Sequence, residues 1–374
     1  MKLYMPTKVY MEHDCVLNHA DELASFGTKA FIVTGAHSSK VNGSLSDVQN
    51  ALDSQGIGYF VFDQVEANPS VETVSEGATE ALEQGCDFFI GVGGGSPMDA
   101  AKAMAVLAKN PQFIKCAHDA LYTEANLSAF PVVAIPTTCG TGSEVTQYAV
   151  LTRHALQTKK SIASKLFPAL ALVDVVYLKK ASYDTIKSTC VDALSHLIES
   201  YLSSNANSLN RMYAREGLLR WGKVKEALRT EVQFAQATDQ TYELFMQASV
   251  IAGMAIAQTG TSLPHALSYS VTYTYGTPHG SAVGIFLPGY LETYGNQKLV
   301  NEVLSYLGFE SVNAFRDYIR QVIGDVPVEV NIWKQATENL LADSSKCANH
   351  PFAVTEKEIY SYLRLNPENQ TYVL

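Results

Sequence analysis

The chain is short of positive charge. It holds 27 Lys and Arg against 37 Asp and Glu, a formal net charge of −10. That balance leaves no electrostatic footprint for nucleic acid or for an anionic membrane surface. Long apolar runs are missing as well: none approaches the ~18 residues that a membrane-spanning helix requires. The N-terminal stretch MKLYMPTKVYMEHDC lacks the apolar core of a secretory signal. Its six cysteines include no C-x-x-C pair, so a zinc ribbon or a thioredoxin-like motif is excluded and a reducing, cytoplasmic setting is expected. No P-loop ending in Gly-Lys-Ser/Thr occurs, and there is neither an internal repeat nor a low-complexity segment.

What is present is apolar and regularly punctuated. Nearly half of the 374 residues are apolar, and the length suits about two domains at ~100–200 residues each. Over residues 1–180, short apolar runs alternate with stretches of helical spacing. KAFIVTG (29–35), GIGYFVFD (56–63), DFFIGVG (87–93), FPVVAIPTT (130–138) and ALALVDVVYL (169–178) read as strands. Strands alternating with helices predict a doubly wound, mostly parallel sheet with the character of a nucleotide-binding α/β domain. Beyond Tyr183 helical spacing dominates, over 183–202, 208–229, 240–259, 297–306 and 311–323, which predicts an all-α second domain over 181–374.

The third strand runs into Gly93, Gly94 and Gly95 and then Ser96-Pro97. Ser96 is suited to the N-cap of the following helix, Pro97 to its first position and Asp99 to its first turn. Glycines let backbone N–H groups approach a ligand without an intervening Cβ, and a helix N-terminus favours a phosphate. A second loop of small hydroxyls and glycines, PTTCGTGSEVT (136–146), also follows a strand. Two such loops at the carboxyl ends of parallel strands point to a dinucleotide. The strand 29–35 ends in Thr34-Gly35, where an NAD-binding strand often carries an acidic residue for the ribose 2′-hydroxyl. Gly35 removes that carboxylate, Ser38 and Ser39 offer hydrogen bonds to a 2′-phosphate, and Lys40 adds charge. NADP(H) is therefore the expected cofactor, with NAD(H) still admissible.

In the helical half, Asp192 and His196 lie four residues apart and share one helix face. His265 in SLPHALSY and His279 in YGTPHGSAVG complete a set of one carboxylate and three imidazoles, suited to Fe or Zn.

GGGSPMDAAK (93–102), PTTCGTGSEVT (136–146), D-A-x-x-H (192–196), the His265 segment and TPHG (277–280) together give the chain its resemblance. Over nearly its full length it resembles the iron-containing (group III) alcohol dehydrogenases. The resemblance implies an active site in the cleft between the two domains and a metal, Fe2+ or Zn2+, on Asp192, His196, His265 and His279. It places the cofactor pyrophosphate on Gly94, Gly95 and Ser96, with Asp99 in the same helix turn. Thr137, Thr138, Thr141 and Ser143 would line the nicotinamide side, Asn68 in EANPS would stand near the cofactor, and a lysine, Lys159 or Lys160, would contact it. Many members carry a histidine four residues after the third metal ligand, where this chain has Tyr269, either a proton relay or a packing residue. AGMAI, ending in Ile256, replaces the AGMAF of many members and implies a differently shaped substrate pocket. The implied function is a metal-dependent alcohol dehydrogenase or aldehyde reductase acting on a small alcohol or aldehyde, as a homodimer. A glycerol dehydrogenase-like polyol oxidoreductase, a dehydroquinate synthase-like lyase and a non-catalytic nucleotide-binding module are the competing readings.

Overall fold

The computed structural model describes residues 1, 3–156, 158–342, 347–366 and 371–374. The chain divides into an α/β unit, residues 5–138 and 142–181, and a helical unit made of residues 1–4, 139–141 and 182–374.

The α/β unit is built on six parallel strands: β1 (Lys8–Met11), β2 (Lys29–Thr34), β3 (Gly58–Phe62), β4 (Phe88–Gly93), β5 (Val132–Pro136) and β8 (Leu170–Val173). A two-stranded antiparallel hairpin, β6 (Val150–Arg153) and β7 (Thr158–Ser161), lies outside that sheet. The sheet order is β1-β8-β5-β4-β2-β3. Chain order reverses between β2 and β4, and such a reversal opens a crevice at the carboxyl ends of the strands. Thr34 pairs with Val92 there, and Gly93 pairs with Pro136 of β5. The loops 35–37, 94–96 and 137–138 therefore leave neighbouring strand ends.

β4 explains why its sequence is apolar throughout rather than alternating. Phe89 packs into one core with Phe31, Val33 and Met104, whereas Phe88, Ile90 and Val92 pack into the core on the opposite face with Ile32 and Val133. A parallel strand covered on both sides has no solvent face.

The sheet matches the expected fold class, but details differ. Strand β8 stops at Val173, because Asp174 accepts a hydrogen bond from the Val176 backbone and starts a 3-10 turn over Val175–Lys180. The short β1 and the hairpin lay outside the expected strands. The helix of the glycine loop runs Gly95–Lys109, with Gly94 in the cap position and no side-chain cap. Ser96 is thus not the N-cap: its hydroxyl accepts instead from the Asn68 backbone N–H at 3.0 Å.

The helical unit contains the long helices Tyr183–Leu202, Asn210–Val224, Asp239–Thr259 and Leu263–Tyr275, among others. To these it adds a small sheet of β9 (Val328–Glu329), β10 (Arg364–Asn366) and β11 (Thr371–Val373), ordered β10-β11-β9 and antiparallel. Among the described residues no helix is long and apolar enough to cross a membrane.

Candidate active site

The metal-type constellation is assembled within the helical unit. Helix Tyr183–Leu202 begins where the Ser182 hydroxyl accepts from the Thr185 N–H. Along it Asp192, His196 and Glu199 follow one another at helical spacing, and all three are buried. His265 occupies the first turn of helix Leu263–Tyr275, and His279 opens helix His279–Gly284. Two glycines permit the approach. A Cβ on Gly280 would stand 1.8 Å from the Ser188 carbonyl oxygen, and one on Gly140 would stand 2.8 Å from the Thr189 Cβ. With hydrogen there instead, the His279 helix and the segment 139–141 both lie directly on the helix that carries Asp192. The Gly140 carbonyl is 3.3 Å from His196 Nδ1 and fixes that ring's orientation.

Asp192 Oδ1 is the centre of the set. His265 Nε2 is 3.3 Å away, and His196 Nε2 and His279 Nε2 are each 3.8 Å away. The His196 and His265 rings stack at 4.4 Å. Donors about 2.1 Å from a tetrahedral ion stand about 3.4 Å apart, so the spacing fits a first-row divalent metal. Asp192 Oδ1 and His265 Nε2 are both buried without a hydrogen-bond partner among the described residues. Buried polar atoms are nearly always satisfied, and a shared ion would satisfy both.

The electrostatics point the same way. Burial would raise the Asp192 carboxyl, but His196, His265 and His279 hold it well below the usual carboxylate range. Burial opposes a charge on His265, yet Glu199 and Asp192 push it up to about 10. Burial pushes His196 below its ordinary value against the pull of Asp192. The cluster attracts a cation strongly enough to keep a proton on one of its own imidazoles. Tyr269 stacks on His279 with ring centroids 6.0 Å apart, and Ile256 is buried on helix Asp239–Thr259.

The loop residues gather in the α/β unit. Gly93 has φ +146, a conformation that favours glycine, and a Cβ on Gly94 would meet Thr138 Oγ1 at 3.2 Å. Asn68 takes the left-handed φ of 62°. It is held there by its N–H to Ser96, by Thr152 donating to its carbonyl at 2.8 Å and by Lys159 Nζ donating to its Oδ1 at 2.6 Å. Of the two candidate lysines, the structure brings Lys159 to Asn68 and leaves Lys160 exposed on β7. Thr137 is buried, its N–H donating to the Gly93 carbonyl at 2.9 Å. Thr141 belongs to the helical unit.

Asp99 and Ser143 face each other rather than open space. The Ser143 hydroxyl donates to Asp99 Oδ1 at 2.5 Å, and the Val150 N–H donates to Oδ2 at 2.8 Å. Lys102, fully buried, donates to the Ser143 and Tyr148 carbonyls at 2.6 and 2.8 Å. These groups bolt the second loop to the glycine-loop helix. Beside Gly35, Ser38 is exposed at the start of helix Ser38–Asn42, but Ser39 is buried and its hydroxyl accepts from Thr34 at 2.7 Å. Lys40 Nζ lies 2.6 Å from Asp63 Oδ2.

Sequence reasoning passed over Glu199, Lys102 and Gly140. Glu199 was legible, seven residues after Asp192 and three after His196 on one helix face. Lys102 carries no signal in the sequence, because nothing in its spacing announces four oxygen acceptors.

Comparison with known proteins bears on most of the chain. Residues 6–175 match the family described as "Iron-containing alcohol dehydrogenase", and residues 186–360 match "Fe-containing alcohol dehydrogenase family, C-terminal". The chain belongs to the iron-containing alcohol dehydrogenase family. The fold of an iron-containing alcohol dehydrogenase from Thermotoga maritima superposes with a TM-score of 0.88 at 34% identity, covering 96% of this chain and 98% of the other. The lactaldehyde reductase of Escherichia coli K12 is 31% identical over 247 residues, 66% of this chain and 63% of that protein. Aldehyde-alcohol dehydrogenase 2 of Entamoeba histolytica is 31% identical over 306 residues, 79% of this chain but only 34% of that longer protein. The matched region is thus less than two thirds of the length of either relative.

Proposed function

We propose that this protein is a metal-dependent alcohol dehydrogenase or aldehyde reductase that moves a hydride between NADP(H) and a small primary alcohol or aldehyde. The observation that carries the reading is the convergence of His196, His265 and His279 on Asp192, whose Oδ1 and the His265 Nε2 are buried without a hydrogen-bond partner among the described residues. The protein's family membership supports it.

Asp192, His196, His265 and His279 would hold the metal, Fe2+ or Zn2+, which when bound supplies Lewis-acid polarisation of a substrate oxygen. The nicotinamide carries the hydride chemistry itself. The chain's own work is placement. Gly94, Gly95 and Ser96 offer backbone N–H groups and a helix N-terminus to the pyrophosphate. Asn68, locked by Ser96, Thr152 and Lys159, walls that loop, and Thr137, Thr138, Thr141 and Ser143 belong to the segment assigned to the nicotinamide side. Tyr269, stacked on His279, limits how far that imidazole can swing. Ile256 belongs to the segment assigned to the substrate pocket.

Residues 1–180 are assigned to the cofactor and 181–374 to metal and substrate. The preference for NADP(H) rests on Gly35 and on Ser38 at a helix start. Ser39 drops from the set of exposed donors because it is buried. A cytoplasmic homodimer completes the reading. The test is cofactor absorbance with NADPH and NADH on a panel of short aldehydes, in Fe2+-loaded and Zn2+-loaded protein. Net oxidation that needs the metal supports the reading; none with any aldehyde overturns it.

A further inference from the structure

We propose that Glu199 is a positioning residue of the metal centre, one buried carboxylate that fixes the tautomer of His265 and anchors the start of the helix carrying it. The inference rests on the metal-site reading above and adds to it a residue that touches neither substrate nor ion.

Glu199 has no exposed surface. Its Oε1 accepts from the Ser195 hydroxyl at 2.5 Å and from His265 Nδ1 at 2.5 Å, and its Oε2 accepts from the Ser262 backbone N–H. An ionised carboxylate only accepts hydrogen bonds. Nδ1 of His265 therefore carries a hydrogen whichever cation the cluster holds, and Nε2, 3.3 Å from Asp192 Oδ1, is the nitrogen turned toward the other ligands. Glu199 thus presents Nε2, not Nδ1, to a metal.

The second contact has its own consequence. Helix Leu263–Tyr275 has Ser262 in its N-cap position, and the Ser262 side chain caps nothing. Glu199 accepts the Ser262 N–H from another helix instead, so the first turn, with His265 in it, is held to the helix of Asp192 and His196. A carboxylate behind a ligating imidazole orients the ring and raises its basicity, and losing such a partner costs about 10–100-fold in metal affinity.

The test uses the full-length protein stripped of metal and titrated with Zn2+ against a competing chelator. Glu199→Gln keeps the shape but offers His265 Nδ1 an amide donor, which favours the Nε2–H tautomer. The expected result is a roughly 10–100-fold loss of Zn2+ affinity, partial recovery in Glu199→Asp and unchanged NADP(H) affinity. A structural role alone would not move a second readout, the 15N shifts of His265. In the Zn2+-loaded wild type they should report Nδ1–H with Nε2 bound. Zn2+ affinity unchanged in Glu199→Gln, or a wild-type His265 bound through Nδ1, would overturn the proposal. Should Glu199→Gln fail to fold, the wild-type tautomer still decides. His265→Ala separates the two levels: if it binds Zn2+ as the wild type does, the metal-site reading itself falls. If it loses Zn2+ while Glu199→Gln does not, only the role of Glu199 falls.

Discussion

Both units bury charge, and they use it differently. In the α/β unit Lys102 and Glu144 are buried and Asp99 is partly buried behind the loops; Asp99 is taken up by Ser143 and the Val150 N–H, and Lys102 by backbone carbonyls. The surface proposed for the cofactor is backbone: Gly94, Gly95 and the start of a helix. In the helical unit the buried groups Asp192, His196 and His265 are themselves the proposed metal ligands, with Glu199 behind them. On that reading one unit recognises by leaving side chains out and the other by converging them. Mutations should therefore separate: a side chain added breaks the first, and a side chain removed breaks the second.

The sharpest separation should come from His265→Ala. Most bound metal should be lost and activity should fall by roughly 10³-fold, the scale of a Lewis acid's several kcal/mol. NADP(H) affinity, measured by fluorescence titration, should stay near that of the wild type. Metal analysis showing full occupancy in the variant would end the assignment. The complementary change is Gly94→Val. Its Cβ would crowd Thr138 Oγ1 at 3.2 Å. The expected outcome is about 100-fold weaker NADP(H) binding, about 2.7 kcal/mol, with Zn2+ affinity unchanged. Equal cofactor binding would mean that the glycines serve only the turn.

Two buried groups, one in each unit, should also answer pH with opposite signs. Burial raises the Glu144 carboxyl from 4.5 to about 7, and its Oε1 has no hydrogen-bond partner among the described residues. The folded state then holds a proton that the unfolded chain has released. Stability is fully present below pH 4.5 and is lost as pH rises to about 7, by at most about 3 kcal/mol. In the helical unit burial lowers His350 from 6.5 to about 4, within the rings of Tyr290, Tyr294 and Phe352. There the unfolded chain binds the extra proton, so stability is present above pH 6.5 and is lost as pH falls toward 4. Thermal melts from pH 4 to 8 check both. Glu144→Gln should flatten the neutral side of the profile and His350→Phe the acid side. The same effect from both variants would refute the contrast.

How much of this was legible follows from the same contrast. The sheet could be read because β2, β4 and β5 are buried on both faces and so are apolar without alternation. β1 and the hairpin escaped because VYM and VLTR are too short to show a period. The convergence of His196, His265 and His279 on Asp192 could be read because Asp192 and His196 share a helix face and because TPHG and D-A-x-x-H are family wording. The loop could be placed but not its cap. Gly94 enters the helix without a side-chain cap, and Ser96 turns to Asn68, a residue 28 positions away. Nor could spacing show that Asp99 and Ser143 would satisfy each other, since that pairing depends on how a loop folds over a helix.

The smallest expected effect is cofactor choice, and it tests how closely the α/β unit reads its ligand. At the end of β2, Gly35 leaves no carboxylate to repel a 2′-phosphate, and a Cβ there would meet the Val65 carbonyl at 3.3 Å. Ser38 is exposed at the helix start, where backbone N–H groups point outward. Lys40 is exposed too, but Asp63 holds its ammonium at 2.6 Å and is itself kept below the usual carboxylate range by that contact. The loop's positive charge is thus largely spent within the protein, and a surface pair of this kind is worth at most about 1 kcal/mol. NADPH should therefore lead NADH in kcat/KM by a moderate margin, roughly tenfold, or about 1.4 kcal/mol. Gly35→Asp should erase that lead, whereas Asp63→Asn should widen it by freeing Lys40. Both ratios are measured on one aldehyde at one ionic strength, because salt screens exposed charges. A wild type that favours NADH would show that the 2′-phosphate is not read at this strand end. A ratio that moves with Gly35→Asp but not with Asp63→Asn would leave the reading to Ser38 and the helix N-terminus and remove Lys40 from it.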